Sequence, residues 1–287
     1  MESIKCRESL KTIQEIHEWL NNCADIYNKS ESGETILIDL SCLKWISPLG
    51  CTALLSSLWR LDKYFYLETI VPMDLAPVTY MERMDFFKLC PEDVKENFEE
   101  QLDMENYYRR NRNNKKDVLR EIRMLTEYPE IASLYKELFS IMQKQGFDRN
   151  RASDIASIVS ELGNNAKDHA KAPCFSCVQS YSNSLQIAIC DSGIGIYNSI
   201  KSVVKGESSH DVISKAILTR VSRLQKDDPS RGKGLVDVKD RAFDWPKDSH
   251  FYVRTHNSDY QIKRDKLNLE DLGNYFFGTF FYLKLKI

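Results

Sequence analysis

A strand-like apolar run, a turn and then helical apolar spacing follow one another near the N-terminus, and this order most constrains the fold. TILIDLS (35–41) is short, apolar and rich in β-formers. Ser47, Pro48 and Gly50 then indicate a turn, and CTALLSSLWRL (51–61) has helical spacing. YFYLETIV and APVTYMERMDFFKL repeat the alternation. The sequence predicts an α/β domain over residues 1–90.

Length and composition narrow the class of protein. A chain of 287 residues with 42% hydrophobic residues and a net charge of -2 fits two globular domains and argues against a nucleic-acid-binding protein. No apolar run approaches the roughly 18 residues of a membrane span, so we expect a cytoplasmic protein without membrane contact. Eight scattered cysteines, Cys174 and Cys177 among them, fit free buried thiols better than disulfides or a zinc site.

Opposed charge blocks separate the two predicted domains. Residues 91–128 begin with an acidic stretch and continue with a basic one, YYRRNRNNKKDVLREIRM. The blocks are typical of a charged linker or a helical connector with solvated faces. The second domain is predicted over 129–287, with two helices, EIASLYKELFSIMQKQG and DRNRASDIASIVSELGNNAKDHA, and later strands FSCVQSY, LQIAIC, FYVRTH and TFFYLKLKI.

The second of these helices carries polar residues along one stripe. Glu161, Asn165 and His169 recur at intervals of four beside an apolar core face. An Asn oxygen suits Mg²⁺, and a carboxylate one turn away can accept a proton during attack on a phosphate. The alternative is an ordinary exposed polar face near a helix end.

Two Gly-containing segments follow in the same domain. LQIAICDSGIGIY ends a strand in Asp191, which can accept a hydrogen bond from an exocyclic amine, and Gly193 and Gly195 permit close approach of a flat ring. In DDPSRGKGLVDV, Gly232 and Gly234 flank Lys233 before a helix, where N–H groups and an ammonium can bind phosphate. Each could also be an ordinary loop.

Taken in order, the three segments resemble the N, G1 and G2 boxes of the GHKL superfamily of Bergerat-fold ATPases, over about 129–287. The resemblance implies an α/β sandwich that binds ATP and Mg²⁺, with Glu161 as the catalytic general base and Asn165 as the metal ligand. It also implies Asp191 as the adenine acceptor, with Thr279 near it. The nucleotide-binding positions expected are Asn165, Asp168, His169, Asp191, Gly193, Gly195, Arg231, Gly232, Lys233, Gly234, Leu235 and Thr279.

Two departures bear on the type of GHKL protein. Histidine kinases often carry Lys three residues after the N-box Asn, where this chain has Asp168. KAILTRVSRL indicates a lid helix closer to the anti-sigma-factor serine kinases. A phosphoacceptor His would need to lie shortly before the ATPase domain, whereas His17 precedes the N-terminal α/β unit and is expected to be a surface or half-buried residue.

The N-terminal unit resembles a STAS domain, the anti-sigma-factor antagonist fold. The likeness rests on ILIDLSCLKWISPLGCTALL, in which Leu49 stands at the family's phosphorylated Ser. The resemblance implies that this position cannot be phosphorylated, although Ser47 is a nearby hydroxyl. A generic α/β unit is the alternative.

Two functions of different class follow from the resemblance. The first is a regulatory switch enzyme that hydrolyses ATP or transfers its γ-phosphoryl group to a Ser or Thr of a partner protein. The second is a non-catalytic interaction module, in which ATP orders a lid over about 197–231 and the ordered surface binds a partner. Family likeness also suggests a homodimer.

Overall fold

Three parallel strands form the centre of the N-terminal part of this computed structural model, which describes residues 1–109, 119–170, 172–206, 208–219, 234–245 and 248–286. Their order is β1-β3-β5, with β1 at Glu2–Lys5, β3 at Thr35–Asp39 and β5 at Tyr66–Ile70. A separate parallel ribbon pairs β2 (Ser9–Leu10) with β4 (Trp45–Ile46). The helices around them are α1 (Ile13–Lys29), α2 (Pro48–Asp62), α3 (Leu75–Arg83), α4 (Glu92–Gln101) and α5 (Met104–Tyr108), with a 3-10 turn at Phe86–Lys88. Residues 1–109 are called the N-terminal unit below.

Local sequence signals set the starts of the two long helices of this unit. Thr12 accepts from the backbone N–H of Glu15, whose side chain bonds back to Thr12 in a capping box at the start of α1. Ser47 caps α2, and Pro48 occupies its first turn. The indole N–H of Trp19 in α1 donates to the Ser57 hydroxyl in α2 at 2.8 Å, which joins the two helices through the core.

A seven-stranded antiparallel sheet forms the rest of the fold. Its order is β11-β10-β9-β12-β8-β7-β6, so the last strand of the chain lies near the middle. The strands are β6 (Leu119–Leu125), β7 (Cys174–Tyr181), β8 (Ser184–Asp191), β9 (Ser249–Thr255), β10 (Ser258–Ile262), β11 (Leu267–Leu272) and β12 (Thr279–Lys286).

Helices after α5 pack mainly on one face of this large sheet. They are α6 (Tyr128–Lys144), α7 (Arg149–Asn165), α8 (Gly195–Ile200), α9 (Ser209–Leu218) and α10 (Gly234–Phe243), and a π-helical turn at Ala166–Ala170 extends α7. None of the helices in the described ranges has the length and apolar run that a bilayer crossing needs.

The N-terminal unit covers the opposite face of the large sheet. Alternation along β7 places Cys174 and Val178 in the core beneath α6 and α7, and Phe175 and Cys177 in the core shared with the N-terminal unit. Helix α2 lies on β7 and β8, where the Cys190 thiol donates to the Thr52 hydroxyl at 3.4 Å. The large sheet is therefore the middle layer, with helices α6 to α10 mainly on one face and the N-terminal unit on the other.

The mixed α/β fold class predicted from sequence is confirmed, as are the strands proposed at 35–41, 64–71, 175–181, 185–190, 251–256 and 279–287, with ends shifted by a few residues. Cys174 and Cys177 are buried free thiols on opposite faces of β7, as expected. The stretch 91–128, expected to be a linker or connector, contains α4, α5 and then β6, which pairs with β7.

Two local expectations were wrong. Pro48, Leu49 and Gly50 were expected in a turn, but they form the first turn of α2, because Ser47 provides a helix cap directly before Pro48. His17 was expected at or near the surface, but its side chain is only 1% exposed. Helix α1 packs against β9 and β10, and there His17 Nδ1 lies 3.0 Å from Asp259 Oδ1.

Candidate functional site

Glu161 and Asn165 lie on the side of α7 that faces the start of α10. A Cβ placed on Gly234 would lie 3.0 Å from Glu161 Oε2 and 3.1 Å from Asn165 Nδ2. The two side chains therefore meet the third Gly-containing segment at one point, although Gly234 is far along the chain. Ile155, Ile158, Val159 and Leu162 occupy the core face of the same helix, as their spacing predicts.

The carboxylate of Glu161 has a raised pKa. Partial burial is the main cause, the nearby negative charge of Asp237 adds to it, and the positive charge of Arg241 opposes it. Arg241 is itself ion-paired with Asp154 of α7. A raised pKa makes Glu161 a better proton acceptor than an exposed carboxylate, which is what a general base at this position requires.

Asn165 has an unusual environment for a polar group. Its Nδ2 is buried, and no residue in the described ranges accepts a hydrogen bond from it. Buried amide groups in native proteins normally have a partner, so a group without one is available to a ligand. An N–H donor without a partner suits an acceptor such as a phosphate oxygen.

The stripe from Glu161 to His169 does not continue as a regular helix. The turn at Ala166–Ala170 is π-helical, with hydrogen bonds one residue longer than in an α-helix, so the four-residue spacing fails after Asn165. Asp168 accepts a hydrogen bond from the Tyr128 hydroxyl at the start of α6, and Lys167 pairs with Glu127 at 2.7 Å. His169 is half-buried in this turn. Asp168 thus contacts the α6 side of the turn.

The end of the π-helical turn is bonded to the loop after β8. The N–H of Ile194 donates to the Ala170 carbonyl at 3.1 Å. Any Cβ at Gly193 would overlap the Ala170 backbone, so this close approach requires glycine. The loop that follows Asp191 is therefore held five residues beyond Asn165, and the first two predicted segments adjoin.

Asp191 is a buried carboxyl group at the end of β8. Burial raises the pKa of Asp191 to about 7. The backbone N–H groups of Gly193 and Thr279 act in the opposite direction, because they donate hydrogen bonds to the charged carboxylate. Oδ1 accepts from the Gly193 N–H at 2.9 Å. Asp191 and Thr279 are register partners on β8 and β12, so Thr279 lies beside Asp191.

Two further residues, Thr255 and Gly278, lie at this end of the sheet and were not predicted from the sequence. Thr255 is fully buried; its hydroxyl accepts from the Ile196 N–H at 3.3 Å and donates to the Gly278 carbonyl at 3.1 Å. Gly195 and Gly278 both have positive φ, +73° and +104°, and pack against each other. Gly278 directly precedes Thr279, and this position beside a predicted site residue was the sequence signal that could have identified it.

The third segment is only partly described. Arg231, Gly232 and Lys233 lie outside the described residues, as do 220–230 of the expected lid. Gly234 opens α10, and Leu235 is half-buried against the helical core. The described part of the expected lid segment contains most of α8 and all of α9, and Ser208 begins α9 with a capping box. Helix α10 also brings Asp237 and Arg241 to Glu161, one and two turns after Gly234.

The STAS-like position has no free hydroxyl group. Leu49 is fully buried in the core of the N-terminal unit. The Ser47 hydroxyl accepts from the Gly50 N–H at 3.1 Å and donates to the Leu10 carbonyl at 3.2 Å. The bond from Gly50 caps α2 and the bond to Leu10 joins the helix start to β2, so the hydroxyl is engaged in structure.

Comparison with known proteins found likeness among solved structures. No family model matches the chain, and no curated protein matches it. A chain in the crystal structure of the SiaB–SiaC complex from Pseudomonas aeruginosa is similar at 12% identity. The match covers 67% of this chain and 99% of that chain, with a TM-score of 0.33.

Proposed function

We propose that this protein binds ATP with Mg²⁺ in the manner of a GHKL ATPase and acts as a regulatory switch on a partner protein. The observation that carries the proposal is the meeting of Gly234 with Glu161 and Asn165. A glycine that follows Gly232 and Lys233 at a helix start is thereby adjacent to the carboxylate and amide that the resemblance assigns to base and metal ligand.

In this proposal, two groups of residues bind the two ends of the nucleotide. Asp191 accepts a hydrogen bond from the adenine amine, and Gly193 and Gly195 keep side chains away from the ring. Asn165 supplies the amide oxygen for Mg²⁺, which takes its remaining ligands from phosphates and water. The described residues contain no group of three His, Cys, Asp or Glu side chains placed to hold a metal, so the cation would depend on the nucleotide.

Bound Mg²⁺ would neutralise charge on the β- and γ-phosphates. Glu161 then accepts the proton of the attacking water or partner hydroxyl, and its raised pKa favours that role. Because Gly234 has no side chain, the start of α10 approaches this carboxylate closely.

Calorimetric titration of the full chain with ATP, with and without Mg²⁺ and against GTP, tests nucleotide binding. We expect ATP to bind, Mg²⁺ to strengthen binding and GTP to bind more weakly, because the guanine O6 is not a donor to Asp191. Absence of ATP binding would overturn the proposal.

Phosphate release and phosphoprotein formation in cell extract test turnover. Glu161→Gln should keep ATP affinity and reduce turnover by about 100-fold or more, as for loss of a general base. Glu100→Gln, at an exposed site on α4, is the matched control. ATP binding by the wild type without any turnover would instead favour the non-catalytic ATP-gated interaction module.

A further inference from the structure

The loop between β11 and β12, Gly273–Gly278, joins the N-terminal unit to the end of β8 at Asp191. The start of this loop is hydrogen-bonded to α1. The backbone N–H of Asn274 donates to the Asn21 side-chain oxygen at 2.9 Å, and the side-chain Nδ2 of Asn274 donates to Asp25 Oδ1 at 2.5 Å. Any Cβ at Gly273 would overlap the Asn21 amide, so the loop and α1 are in close contact.

Phe277 anchors the same loop in an aromatic and cationic cluster of the N-terminal unit. The Arg60 guanidinium of α2 lies 3.5 Å from the centroid of the Phe277 ring. Tyr27 of α1 meets that ring edge to face, with centroids 5.0 Å apart, and accepts a hydrogen bond from Arg60 at 3.1 Å. Both α1 and α2 therefore hold Phe277.

On its other side the loop forms a wall of the proposed adenine site. A Cβ at Gly278 would overlap the Asp191 carbonyl, and the next residue, Thr279, is the register partner of Asp191. Tyr275 accepts a hydrogen bond from Asn198 Nδ2 of α8 at 3.2 Å. A displacement of the loop would therefore change the position of Gly278 and Thr279 relative to Asp191.

A buried charged cluster fixes the base of the loop to the same helix α1. Arg254, 1% exposed, donates to the Asn274 carbonyl at 2.9 Å and to the His256 carbonyl at 2.6 Å. Asp259 lies between Arg254 and His17 of α1, with its Oδ1 3.0 Å from His17 Nδ1. Arg254 directly precedes Thr255, which contacts Gly278.

We propose that Asn21 and Arg60 are positioning residues for the nucleotide pocket: the N-terminal unit holds the Gly273–Gly278 loop so that Gly278 and Thr279 stay against Asp191. This inference rests on the proposed function. By linkage, ATP binding stabilises the docking of the N-terminal unit to the same extent as docking strengthens ATP binding. The STAS-like unit then regulates the pocket through contact, without a phosphorylated Ser.

Two variants of the full chain test the inference by Mg²⁺-ATP titration. Arg60→Met and Asn21→Ala should each weaken ATP binding about three- to tenfold. The first loses the cation–π contact with Phe277 and the hydrogen bond to Tyr27, and the second loses the hydrogen bond from Asn274. Asn22→Ala, the exposed neighbour on α1, and Arg7→Met, an exposed Arg of the same unit, should bind as the wild type does. Arg60→Lys should restore part of the affinity, because it keeps a cation over Phe277.

Amide hydrogen exchange of 273–279 without nucleotide provides a second readout. Exchange should be faster in both variants and unchanged in both controls, while far-UV circular dichroism stays the same. If the wild type binds ATP but ATP affinity and loop exchange are unchanged in the variants, this inference is overturned and the proposed function stands. A wild type that binds no ATP would overturn the proposed function and this inference with it. Should Arg60→Met fail to fold, Asn21→Ala at a half-exposed position gives the same test.

Discussion

Asp191 and Thr279 face each other across β8 and β12, and both side chains are buried. A buried carboxyl group at the end of a strand is unfavourable unless it is hydrogen-bonded, and here the backbone of Gly193 supplies one such bond at 2.9 Å. The Asp191 oxygen that accepts this bond is Oδ1. In the proposed function, the amine of adenine donates to the same carboxyl group.

Asp191→Asn should weaken ATP binding roughly 10- to 100-fold, the range for losing a hydrogen bond to a charged acceptor. The substitution keeps the shape of the side chain but removes the charge. Titration calorimetry of the variant measures the effect, with Asp265→Asn at an exposed turn as the control. Equal affinity in Asp191→Asn and wild type would remove Asp191 from the nucleotide site.

The raised pKa of Asp191 predicts how stability depends on pH. An unfolded Asp has a pKa of about 3.9, whereas burial raises that of folded Asp191 to about 7. The folded state thus holds its proton more tightly, and the associated stability is fully present below about pH 4 and lost as pH rises through about 7. Above pH 7 the contribution should stay constant.

Urea unfolding of wild type and Asp191→Asn from pH 5 to pH 8 checks this dependence. The free energy of unfolding of the wild type should fall relative to that of the variant from pH 5 to about pH 7 and stay level above that. Affinity for ATP should change in the opposite direction in the wild type, because only the ionised carboxylate accepts without first losing a proton. A wild-type-minus-variant difference that is flat with pH would show that Asp191 is already ionised at pH 5.

Sequence periodicity predicted the part of the candidate site that lies on one helix. Glu161 and Asn165 share a side of α7 because four residues make little more than one turn, and this spacing is visible in the sequence. The π-helical turn after Asn165 was not visible, because it depends on how Ala170 meets Gly193 in the folded chain. The separate contact of Asp168 with Tyr128 was hidden for the same reason.

Contacts between distant segments were the least predictable part of the fold. His17 is buried only because α1 packs on β9 and β10, and a single His in a polar helix carries no sign of that contact. Strand β6 was missed because charged residues dominate its surroundings, although it pairs at the edge of the large sheet. Strands β10 and β11 are short and interrupted by polar residues, which weakens their alternation.

Gly234→Ala tests whether the third segment must approach Glu161 and Asn165. The added methyl group would lie 3.0 Å from Glu161 Oε2, so either α10 or the carboxylate must move. We expect about tenfold weaker binding of Mg²⁺-ATP, in line with the cost of crowding a packed site. Calorimetry and a thermal unfolding curve separate this effect from loss of folding.

Gly163→Ala is the matched control on the other side of α7. A Cβ there would meet Leu125 Cδ1 at 3.4 Å, an ordinary contact. The variant should bind ATP as the wild type does and gain up to about 1 kcal/mol of stability from the better helix former. Equal loss of affinity in both glycine variants would mean that α7 as a whole, and not the Gly234 contact, controls binding.

Ser47 should behave as a helix cap and not as a phosphate acceptor. Its hydroxyl accepts from the Gly50 N–H and donates to the Leu10 carbonyl, so both of its functions are structural. Ser47→Ala should lower the free energy of unfolding by about 1 kcal/mol, measured by urea denaturation, whereas Ser47→Asn should lose less because Asn also caps helices and can donate. If Ser47→Ala instead unfolds at the wild-type urea concentration and abolishes incorporation of label from ATP, the hydroxyl is an acceptor, and the comparison of the N-terminal unit with a phosphorylated STAS domain would apply at Ser47.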